Sequence, residues 1–160
     1  MTNKEMSTAI RKELKDNGFK GVTVSVKDSG YDTAITVKIK NPSVNRIEVE
    51  NLLKHWEEID RDERTGEILS GCNAYLFVEY RDGIFDDVAQ EWAATAMGAM
   101  KSKDETTRIF DGLYLINWEH SGRLELKQQN EKDYCTRYVY NLNALCVFLY
   151  KFAKFGTIAA

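Results

Sequence analysis

Few residues in this 160-residue chain have side chains whose type and spacing could do chemistry. The two histidines each stand beside acids and aromatics, in His55-Trp56-Glu57-Glu58 and Trp118-Glu119-His120. Gathered with Asp60 or Asp62, they would offer the carboxylate oxygens a hard cation needs and an imidazole to act as base, the chemistry of a metal-dependent nuclease. That spacing matches no established metal motif. His120 also reads as a polar turn residue before Ser121-Gly122, and His55 falls near a helix end, where positive charge is favoured. Walker, GxGxxG, HExxH, GxSxG and EF-hand patterns are all missing from the sequence. The balance is against an enzyme, so no catalytic or metal-binding residue is assigned and no cofactor is expected.

Two clusters are candidates for binding. Glu57, Glu58, Asp60, Asp62, Glu63 and Glu67 share a short stretch with only Arg61 and Arg64, and residues 46–87 as a whole carry twelve acidic against five basic side chains. Such a run is either a solvated loop or a surface that meets a basic partner, where complementary potential speeds encounter. The second cluster is basic and aromatic. Arg137, Tyr138, Lys151 and Lys154 lie among Lys132, Tyr134, Tyr140, Tyr150 and Phe155, which reads as a face for nucleic acid or as the amphipathic rim of a core. A sequence pI of 5.5 argues against direct nucleic-acid binding by the chain as a whole.

Cys72, Cys135 and Cys146 match neither a disulfide framework nor a paired zinc motif, and they point to a reducing compartment. Cys146, inside Leu145-Cys146-Val147-Phe148-Leu149, reads as a small buried hydrophobe.

The elements that must carry these residues follow from composition and periodicity. With 43% hydrophobic and 29% charged residues and one proline, the chain is expected to form one compact α+β domain, with two small subdomains as the alternative and 57–70 as their boundary. No apolar run is long enough for a membrane span and the N-terminus lacks a secretory pattern, so a cytoplasmic protein is expected. Met6, Ala9, Ile10 and Leu14 predict a helix over 4–17 ended by Gly18. Alternation over 22–27 and 34–39 predicts a hairpin turning at Asp28-Ser29-Gly30, and Ser43 is the expected cap of a helix over 44–56. A strand over 74–80, a helix opening at Asp86 or Asp87, strands near 107–110, 113–118, 123–127 and 134–140, and a helix ending before Gly156 complete the reading. Strands clustered in hairpins predict an antiparallel or mixed sheet with helices on one face.

The stretch Ile10-Arg11-Lys12-Glu13-Leu14-Lys15, then Gly21-Val22-Thr23-Val24-Ser25-Val26, a turn, a second strand and Asn41-Pro42-Ser43 leading into a helix resembles one of the large polyvalent protein-associated domains of phages, plasmids and conjugative elements. The likeness covers about residues 7–56 and implies a small α-β-β-α module in a mobile-element setting. It departs after Trp56, where the acidic stretch and Gly71-Cys72-Asn73 follow. The resemblance brings no catalytic residues with it. It implies a non-enzymatic protein that inhibits a host defence nuclease, of the anti-CRISPR or anti-restriction type, with the acidic 57–67 region as the candidate surface. A nucleic-acid-binding accessory protein ranks second and a metal-dependent nuclease third.

Overall fold

The computed structural model describes residues 1–101, 105–118, 121–130 and 134–160. The architecture is α+β, the described residues forming four helices and two sheets shared between two compact units, Met1–Ile84 and Phe85–Ala160. The stretch 57–70 therefore lies inside the first unit. No helix among the described residues is long and apolar enough to cross a membrane.

The first unit contains the expected α-β-β-α order. Helix α1 (Asn3–Asp16) opens with a reciprocal cap: the Glu5 amide donates to Thr2 Oγ1 and the Thr2 amide to Glu5 Oε2. Ser7, Ile10 and Leu14 fall on its buried side. Strands β1 (Val22–Ser29) and β2 (Asp32–Ile39) form an antiparallel hairpin in which Ser29 pairs with Asp32. The turn is thus Gly30-Tyr31, two residues later than the sequence signal placed it, because Asp28 and Ser29 remain in the strand. Gly30 supplies the positive φ that a two-residue hairpin loop needs.

Helix α2 (Arg46–Leu53) is capped by Asn45, whose side chain accepts from the Ile47 amide, and not by Ser43. Asn41 Oδ1 takes the Ser43 amide instead, which holds Pro42 and Ser43 in a turn before the helix. A single 3-10 turn, Lys54–Trp56, follows. Strand β3 (Ala74–Tyr80) then pairs parallel to β2, so the sheet is mixed, in the order β1-β2-β3. Period-two alternation puts Val24, Ile35, Val37, Ile39 and Ala74 on one face, where they form a single core with Ile10, Leu14, Val49 and Leu53 from the two helices.

In the second unit, β4 (Thr106–Phe110), β5 (Leu113–Asn117), β6 (Leu124–Gln129) and β7 (Tyr134–Val139) form an antiparallel meander in sequence order. Helix α3 (Asp86–Met100) carries Asp86 and Asp87 in its first turn, where negative charge meets the positive helix end. Helix α4 (Leu142–Phe155) is capped by Asn141 and ends on left-handed Gly156. Both helices pack with Leu113, Leu115, Leu124, Leu126, Cys135 and Val139 in one core, so both cover the same face of this sheet.

Candidate functional site

The acidic stretch is an ordered ribbon. Glu58 and Ala74 exchange backbone hydrogen bonds of 2.9 and 2.6 Å, Asp60 accepts from the Leu69 amide at 2.9 Å, and the Asp62 amide donates to the Glu67 carbonyl at 2.8 Å. The two arms are thereby paired along their length, with Arg61 opposite Ile68. At the tip, Asp62 Oδ1 accepts from the backbone amides of Arg64 (2.9 Å) and Thr65 (2.7 Å) and from the Thr65 hydroxyl (3.1 Å), while the Gly66 amide returns to the Asp62 carbonyl. This is an aspartate-centred turn of the kind short acidic side chains favour.

The root is held by Asn73, which is only 2% exposed. Its Oδ1 accepts from the Asp60 amide at 2.7 Å and its Nδ2 donates to the Leu69 carbonyl at 2.7 Å. Its backbone amide donates to Asp32 Oδ1, and its carbonyl accepts from the Thr33 amide at the start of β2. Asn73 therefore ties both arms of the ribbon to the sheet.

The six predicted acidic residues consequently fall into two groups. Glu58, Asp60, Glu63 and Glu67 are exposed. Asp62 is consumed by the turn, and half-buried Glu57 accepts from the Leu76 amide at 3.4 Å. Amides of Thr65 and Arg64, with the Thr65 hydroxyl, hold the Asp62 carboxyl below its ordinary value. A lowered folded-state pKa contributes stability that is complete above the unfolded value and is lost as pH falls through the folded one. The tip should thus stay locked at neutral pH and loosen in acid. Amide-exchange protection of Arg64 and Thr65, followed from about pH 6 to about pH 2.5, should fall at the acid end in the native chain and be low throughout in Asp62→Ala. Protection unchanged in Asp62→Ala would show that the carboxylate does not hold the turn.

His55 has a structural partner. Its Nε2 lies 2.7 Å from Glu13 Oε1, and the Trp56 indole donates to Glu13 Oε2 at 2.7 Å. Burial pushes the Glu13 carboxyl up, but the hydrogen bonds from Trp56 and His55 outweigh it and leave the group below its ordinary value. Glu13 on α1 thereby clamps the segment after α2. Among the described residues no three His, Cys, Asp or Glu side chains gather as a metal set would. His120 and Lys132 lie outside the described residues.

The basic-aromatic residues do not share a face. Arg137 and Tyr138 are consecutive on β7 and point to opposite sides of the sheet. Lys151 sits on α4 over the Phe85 and Phe148 rings, at 5.2 and 5.8 Å from their centroids. Lys154 is exposed in the last turn of α4. Tyr138 pairs with Glu125, and Arg137 with core residue Leu126, so Tyr138 lies on the side of the sheet away from both lysines. Cys135 and Cys146 are buried free thiols and Cys72 is exposed; burial raises the Cys146 pKa.

Neither Glu13 nor Asn73 was singled out from sequence. Glu13 meets partners 42 and 43 positions away, a pairing no local signal carries. Arg64-Thr65-Gly66-Glu67 has the composition of a turn, and it forms the ribbon's tip. No family model, curated protein or solved structure matches the chain.

Proposed function

We propose that this chain is a non-enzymatic binding module of a mobile genetic element. It docks its acidic ribbon on the basic, nucleic-acid-binding surface of a host defence nuclease and so inhibits it, working in the cytoplasm. The observation that carries this reading is the ribbon itself. A segment pinned at its root by Asn73 and at its tip by Asp62 presents Glu58, Asp60, Glu63 and Glu67 to solvent.

A preformed segment loses little conformational entropy on binding, so its charges act at full effect on encounter and on register. Of the two cations in the stretch, Arg61 is occupied with the Gly66 carbonyl at 3.1 Å. The resemblance of residues 7–56 to the large polyvalent protein-associated domains supplies the mobile-element setting. The nucleic-acid reading built on Arg137, Tyr138, Lys151 and Lys154 has less support, since those side chains lie on different sides of the second unit.

Capture with the tagged full chain from lysate of a bacterium carrying defence systems tests the reading. The expected result is enrichment of a nuclease that competing DNA or RNA displaces. The variant Glu58→Gln, Asp60→Asn, Glu63→Gln, Glu67→Gln should not retain it. Equal capture of the same nuclease by that variant would remove the ribbon from the interface.

A further inference from the structure

The second unit has a sheet face that neither helix covers. Strand alternation and register place its side chains in rows: Arg108, Tyr114, Lys127 and Thr136 in one, and Thr106, Ile116, Glu125 and Tyr138 in the next. Tyr134 stands on the same face of β7, four residues before Tyr138 and about 13 Å from it along the strand. Tyr134 is 66% exposed, Tyr138 50% and Trp118 41%. These large rings are left in water on the outer face of the sheet.

The charges on this face are arranged unevenly. The carboxylate in these two rows, on Glu125, is 8% exposed and already engaged, accepting from the Trp118 indole at 2.9 Å and lying 3.5 Å from Lys127 Nζ. The Arg123 guanidinium stacks on the Tyr138 ring at 4.5 Å from its centroid. Its buried Nε has no hydrogen-bond partner among the described residues. Arg108, farther along the same row as Lys127, reaches Asp111 in the adjoining turn. Solvent therefore meets aromatic rings and the cationic groups of Arg108, Arg123 and Lys127, with Glu125 turned inward and the exposed Asp111 carboxylate at the rim beside Arg108.

We infer that this open face, centred on Tyr138, Arg123, Trp118 and Lys127, binds single-stranded nucleic acid. Its bases stack on the exposed rings and its phosphates lie against the cations. Flat aromatic surface backed by cations suits an unpaired strand, because every base offers a π-face and every nucleotide a negative charge. A duplex hides those faces. The inference is independent of the acidic ribbon, which belongs to the other unit.

The test is fluorescence anisotropy of the full chain with fluorescein-labelled dT12 and rU12. Binding to at least one of them is expected. Tyr138→Ala should weaken it about 5- to 160-fold, a stacked base contributing roughly 1–3 kcal/mol, whereas Tyr138→Phe keeps the ring and should stay near the native value. Lys127→Ala should weaken binding and flatten its salt dependence. Lys151→Ala with Lys154→Ala, on the other side of the sheet, and the four-carboxylate ribbon variant should bind as the native chain does. No binding of either oligonucleotide, equal affinity for a 12-base-pair duplex, or equal loss in Tyr138→Phe and Tyr138→Ala would overturn the inference.

Discussion

Gly112→Ala should destabilise the second unit by about 3 kcal/mol or more, beyond what the same substitution does at Gly30. Gly112 sits in the Asp111-Gly112 turn between β4 and β5 at a φ of +80°, a region in which an L side chain costs roughly 1–2 kcal/mol. A Cβ there would also stand 2.8 Å from Asn130 Cβ and 3.1 Å from the Gln129 carbonyl. Relief by movement is blocked. The Gln129 amide donates to the Gly112 carbonyl at 2.8 Å, and Asn130 Nδ2 donates to the carbonyl of Gly156 at the end of α4. Overpacking of this kind adds about 1–3 kcal/mol. Gly30 has a similar φ of +67° but nothing within 4 Å of its would-be Cβ, so only the conformational cost of roughly 1–2 kcal/mol applies. Urea denaturation of the two variants gives the comparison, and equal losses would show that the close approach of Asn130 is not what demands glycine.

The second large effect is expected at Asn73. Asn73→Leu keeps most of the side-chain volume but strips the acceptor from the Asp60 amide and the donor from the Leu69 carbonyl, both in half-buried hydrogen bonds. A buried polar group left without a partner costs about 1–3 kcal/mol, so roughly 2–6 kcal/mol is expected for the pair. Because the lost bonds are the ones that join the ribbon's arms at the root, the substitution should also abolish exchange protection at the Leu69 amide. Full protection there together with native stability would mean that the Glu58–Ala74 pairing alone holds the ribbon.

Local pattern carried much of this fold. The strand at Ala74–Tyr80 was legible to the residue because Tyr75, Phe77, Val78 and Tyr80, aromatic and β-branched, are gathered there before Arg81-Asp82-Gly83 ends the run. The four strands of the second unit were legible as short runs broken by turn residues such as Ser121-Gly122, while their order as one antiparallel meander was not. The cap of α2 was not, since Ser43 and Asn45 are both good caps and the choice is made by Asn41, which takes the Ser43 amide. Parallel pairing of β2 with β3 and the split into two sheets depend on contacts far apart in sequence, which periodicity does not encode. The same holds for the candidate surface. Charge density located the acidic stretch, but which carboxylates reach solvent depends on Asn73, Asp62 and Leu76, whose roles exist only once the ribbon is folded.

The central claim is that the ribbon's exposed carboxylates make the contact with a nuclease. The direct measurement is the affinity of a captured nuclease for the native full chain and for the four-carboxylate variant, titrated from low to physiological salt. Native binding should weaken as salt rises, and the variant should bind at least about tenfold more weakly at low salt with a flatter dependence, as expected when opposite charges meet across an interface. Equal affinities with parallel salt dependence would contradict the claim and return the acidic ribbon to the status of a solvated, well-folded loop.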